Sequence, residues 1–97
     1  VTDLAELMQR RMALIEKLSA LNSKQLLNTT TRSGIEVELA GCIEEIEKNG
    51  ETPEMLAQLA EVEARYRTAT AASADCDREL DDLTDQLTSL DQAGPAA

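Results

Sequence analysis

Three observations predict an all-α fold, an antiparallel two-helix coiled-coil hairpin able to pair into a four-helix bundle. Apolar residues recur in alternating steps of three and four through two long segments, the pattern of a helix whose seam faces a partner helix. Between these segments, Lys48-Asn49-Gly50-Glu51-Thr52-Pro53-Glu54-Met55 gathers helix-stop and helix-start residues. Charge is also uneven, so that the basic start of the chain opposes its acidic end only when the helices run antiparallel.

The first helix is expected from about Thr2 to Asn49. From Leu4 its seam steps through Leu7, Arg11, Leu14, Leu18, Leu21, Gln25, Asn28, Arg32, Ile35, Leu39, Cys42 and Ile46. Asn28-Thr29-Thr30-Thr31-Arg32-Ser33-Gly34 tests this reading, because its residues are mostly weak helix formers. Their summed propensity costs about 4 kcal/mol relative to alanine, enough to break an isolated helix. A break would leave three helices, at about 2–27, 35–49 and 53–91. The seam nevertheless resumes at Ile35 in the phase of an unbroken helix, which a loop has no reason to preserve, and a continuous helix is the favoured reading.

A turn follows at 50–52. Asn49 and Gly50 suit the left-handed conformation that closes a helix, and Lys48 lies favourably in the last turn. Thr52 reads as the next N-cap, with Pro53 at the first helical position and Glu54 near the positive end of the helix dipole. The second helix is expected over 53–91, its seam running through Met55, Leu59, Val62, Tyr66, Ala69, Ser73, Cys76, Leu80, Leu83, Leu87 and Leu90. Residues 92–97 contain a Gly-Pro breaker and read as a disordered tail, so the hairpin domain is expected to occupy 1–91.

When the chain folds back at residue 51, residues whose numbers sum to about 102 face one another. Leu39 then meets Val62 and Leu59, Ile35 meets Tyr66, and Leu18 meets Leu83. Gln25, Asn28 and Arg32 meet Cys76, Ser73 and Ala69, in or beside a run of small residues. Such a polar layer sets register at some loss of stability and leaves a thin waist. Residues 75–91 hold seven acids and the single base Arg78, opposite Arg10, Arg11, Lys17 and Lys24. Individual exposed pairs contribute little, but their sum can set orientation.

Composition narrows the classes of function. The chain has 97 residues, nine Lys and Arg against nineteen Asp and Glu, a net charge of −10, one aromatic residue and no His. The acidic balance opposes binding to nucleic acid, which relies on clustered Lys and Arg. No apolar run approaches the roughly 18 residues of a membrane span, and no basic start with a short apolar segment resembles a signal peptide. A cytoplasmic protein without membrane attachment is expected. Two Cys and no His cannot build a Cys/His zinc cluster within one chain. Cys42 and Cys76 lie at unequal distances from the turn, so no disulfide between them is expected and both read as small core fillers.

Carboxylates abound, as in Glu44, Glu45 and Glu47 or Asp81, Asp82 and Asp85. Acid-base chemistry needs a concave, desolvated site, which two exposed helices do not supply. There is no activated nucleophile, phosphate loop or calcium loop. The expectation is a protein that is not an enzyme, with no cofactor, metal or small-molecule substrate.

Apolar residues off the seam carry the functional signal. Met8, Ile15 and Ile43 fall beside the seam of the first helix, while Met12, Leu26, Leu27 and Val37 lie further round. The second helix has mostly charged or small flanks. Surplus apolar surface on a small protein marks an interface. Met8, Met12, Ile15, Leu26, Leu27 and Ile43 are therefore the candidate partner-binding residues, for a protein partner or a second copy. The expected function is a non-catalytic interaction module: an adaptor, assembly factor or small chaperone. Two alternatives stand beside it: an acidic inhibitor whose charge mimics nucleic acid, and a coiled-coil fragment of a larger structural protein, the latter suggested by a chain that begins at Val1.

Overall fold

In the computed structural model, which describes residues 3–93, the chain is two helices packed against each other. α1 spans Leu4–Asn49 and α2 spans Pro53–Gln92. Among the described residues there is no strand.

α1 opens on Asp3, whose Oδ1 accepts a hydrogen bond from the Ala5 amide at 3.2 Å and whose carbonyl accepts from Leu7 at 3.1 Å. An aspartate N-cap leaves the first orphan amides partly satisfied, and Glu6 adds an acid at the positive end of the dipole. The sequence signature is Asp3 followed three residues later by Glu6, a capping pattern that places the helix start after Asp3. Thr2, the expected start, lies outside the described residues.

α1 continues unbroken through 28–34. Thr30 donates to the Leu26 carbonyl at 3.0 Å, satisfying its hydroxyl inside the helix. Immediately beyond, Ile35 is buried. Tertiary packing thus outweighs the weak local propensity, as it does for most helices in proteins.

At the reversal, Gly50 has φ +80°, and its amide donates to the Ile46 carbonyl at 2.8 Å. This is the left-handed closure for which glycine carries no Cβ penalty. Lys48 and Asn49 donate back to Glu44 and Glu45 at 2.7 and 2.8 Å. Thr52 then caps α2, its Oγ1 accepting from the Met55 amide at 3.1 Å. At the other end Gln92 belongs to α2 and Ala93 to a turn, so helix extends into the segment expected to be tail. Residues 94–97 lie outside the described residues.

The packed residues divide into two compact units, one of Leu26–Ala74 and one of Val1–Gln25 with Asp75–Ala97. In the unit containing the turn, Ile35, Cys42 and Val62 form a buried cluster, with Leu39, Leu59, Tyr66 and Ala69 packed against it. Arg65 Nη1 reaches Glu38 at 2.8 Å and the Tyr66 hydroxyl donates to Glu36 at 3.4 Å, contacts that place rising residue numbers against falling ones. In the other unit Arg11 pairs with Asp91 at 3.0 Å and Gln25 donates to Asp77 at 2.6 Å. Both sets of contacts are those of antiparallel helices. Cys76 is buried there, its Sγ 3.5 Å from the Leu21 carbonyl, and both cysteines are free thiols.

Every described residue that is not exposed lies on the two heptad stripes. Leu4 and Arg11 are the stripe members left exposed. Among the described residues full burial is confined to Ile35, Cys42, Val62, Ser73 and Cys76. Leu7, Leu14, Leu18, Leu21, Leu80, Leu83, Leu87 and Leu90 are only half-buried. A pair of helices covers a seam from two sides and leaves its flanks open, so short side chains vanish into it while leucines protrude.

Candidate interaction surface

The candidate residues all lie on α1 and all stand out from it. Met8 is 58% exposed, Met12 61%, Ile15 41%, Leu26 69%, Leu27 65% and Ile43 44%. Ile15 and Ile43, which flank the seam, are partly shielded. Leu26 and Leu27, further round, are not. Leu4, Val37 and Leu56 are also large exposed apolar residues, and Leu56 alone among these lies on α2.

Helical spacing decides which of them can act together. Met8, Met12 and Ile15 are separated by one turn each and share a face, within the unit that holds the chain ends. Leu26, Leu27 and Ile43 fall in the unit that holds the turn. At about 100° per residue, Leu27 and Ile43 point to nearly opposite sides of α1. The six candidates therefore do not make one patch, and the Met8–Met12–Ile15 face is the group that the helix brings together.

Beside the half-buried leucines run open clefts. In the unit with the chain ends, one is lined by Lys17, Ala20, Leu21, Glu79, Asp82 and Leu83, and another by Arg10, Ala13, Leu14, Asp85 and Leu90. The basic residues of α1 thus face the acids of α2 across a gap, and among the described residues of this unit Arg11–Asp91 is the ion pair that closes between helices. Asp75 pairs with Arg78 along α2 itself. The attraction expected from the sequence is spread over several open pairs, a form in which it guides orientation more than it adds stability.

A cleft of ≈ 800 Å³ lies in the unit with the turn, lined by Gly34, Ile35, Ala64, Ala69 and Ala72 together with Glu38, Glu61 and Arg65. Arg65 lies 3.4 Å from Glu61 in addition to its bond with Glu38. The hydrogen bond to Glu38, helped by the field of both carboxylates, raises the Arg65 pKa above its ordinary value. Asn28, Ala69 and Ala72 line the cleft, so it opens at the thin waist expected from the sequence and extends toward the turn to Glu38 and Glu61, which sequence reading did not foresee. Nearby Arg32 lies 3.7 Å from Glu36 one turn on along α1, and Ser73 is buried.

Among the described residues no cluster of His, Cys, Asp or Glu could hold a metal ion, and no helix is long and apolar enough to cross a membrane. No family model matches the chain, and no match to it was found among curated proteins or solved structures. The class that fold and surface define is an all-α helical hairpin.

Proposed function

We propose that this hairpin is a non-catalytic protein-interaction module, an adaptor, assembly factor or small chaperone of the cytoplasm, whose partner docks on the apolar faces of α1. The observation that carries the reading is the Met8–Met12–Ile15 face: three large apolar side chains, each at least 41% exposed, one turn apart on a helix whose own seam is already occupied. Methionine supports it, since an unbranched, polarisable side chain suits surfaces that adapt to a partner. Half-buried leucines beside open clefts are what a helix laid into those clefts would cover.

The test is a double substitution, Met8→Glu with Met12→Glu. Both side chains project into solvent, so helicity and the isolated chain's stability should change by less than about 0.5 kcal/mol. In extract of the native host, sedimentation velocity should show a species larger than the purified chain gives, and the double variant should lose it. A wild-type chain that sediments identically in both settings, or a host complex that survives the double substitution intact, would refute the reading.

A further inference from the structure

Gly34 and Gly41 sit inside α1, where each glycine destabilises a helix by about 1 kcal/mol relative to alanine. Nothing in this chain's own packing calls for them: a Cβ added at either would find no neighbour within 4 Å. A helix-interior glycine with empty space before it permits a close approach by something outside the molecule. The two lie at heptad spacing on one face, Gly34 lining the ≈ 800 Å³ cleft. One heptad earlier on that face comes Leu27, 65% exposed. The face thus carries a projecting knob and two bare depressions in a single row.

We infer that this row is the surface on which a second copy of the chain docks, α1 against α1, antiparallel about a two-fold axis at Gly34. This rests on the reading of the chain as a binding module and names an occupant for it. About that axis, residues equally far on either side of Gly34 meet. Each Leu27 enters the depression at Gly41 of the other copy, and the two Gly34 backbones meet at the centre. Val37, 73% exposed, is covered by Thr31. Lys24 lies opposite Glu44 of the other copy, and Glu38 lies opposite Thr30, so no like charges oppose each other along the row. Sliding the second copy by one heptad, which moves the axis to between Thr30 and Thr31, leaves Lys24 opposite Val37 and sets Glu45 against Glu16; charge therefore favours the Gly34 register. Self-complementarity of this kind is what a two-fold interface requires and a heterologous partner does not.

The experiment is disulfide trapping in the otherwise native chain. Gly34→Cys puts a thiol at the axis, in open space and with better helix propensity than the glycine it replaces. The native Cys42 and Cys76, 5% and 2% exposed, do not compete. Under oxidised glutathione, Gly34→Cys should give a covalent dimer on a non-reducing gel, whereas Glu63→Cys, exposed on α2 away from the row, should not. Adding Leu27→Glu should weaken the association, read by sedimentation without oxidant, roughly tenfold or more. The proposal is overturned if Gly34→Cys stays monomeric, or if Glu63→Cys links as readily. If Met12→Cys links where Gly34→Cys does not, this interface is wrong while the Met8–Met12–Ile15 reading stands.

Discussion

Val62 and Leu56 sit close together on α2 and differ mainly in what surrounds them. Val62 is 2% exposed inside the Ile35–Cys42 cluster, and Leu56 is 45% exposed. Removing methyl groups from a filled site loses transfer free energy and leaves a cavity, so Val62→Ala should lower unfolding free energy by about 2 kcal/mol and Leu56→Ala by less than about 1. Urea titration of the two variants checks the ordering. Arg65 makes a second residue-scale case. Its pKa is raised by the Glu38 hydrogen bond, so its contribution to stability is complete below the ordinary arginine pKa and is lost only as pH rises through the raised value. The stability difference between wild type and Arg65→Gln should therefore stay flat from neutral pH into mild alkali. A difference that fades in that window would mean another group controls the contact.

Elements show where sequence reading succeeds and where it stops. The seam was legible residue by residue, because a heptad stripe that never slips has one burial pattern compatible with it; all the half-buried and buried described residues fall on it. The reversal was legible because Gly50, Thr52 and Pro53 each have a separate steric or hydrogen-bonding reason to stand where they do. Thr52→Ala should remove the α2 cap at a cost of about 1 kcal/mol, and Gly50→Ala should cost a similar amount by forcing a Cβ into the left-handed region. Thermal denaturation followed by circular dichroism reads both. Depth of burial was not legible. Heptads report which side chains face the partner helix, but whether leucines such as Leu14 and Leu87 are then covered depends on what lies outside the pair. The candidate surface divides the same way: that Met8, Met12 and Ile15 are exposed followed from their being apolar out of phase, while the cleft was foreseen only at its Asn28–Ala69 waist, and its extension along Gly34 and Ala64 emerged once two helices were set in register.

At the scale of the whole molecule, a net charge of −10 and a small buried core work against a stable isolated chain, and on our proposal a partner on the exposed apolar faces of α1 would offset both. If a second copy supplies the cover, the thermal midpoint should rise as protein concentration is raised about a hundredfold, because association is linked to folding by mass action. A midpoint independent of concentration would remove the second copy from the account. The claim that a partner covers the Met8–Met12–Ile15 face is tested most directly by peroxide footprinting. Met8 and Met12, 58% and 61% exposed, should oxidise rapidly in the dilute purified chain, with the less exposed Met55 as internal reference. In extract of the native host, Met8 and Met12 should be protected several-fold relative to Met55, whereas oxidation there at the rates of the purified chain would contradict the account.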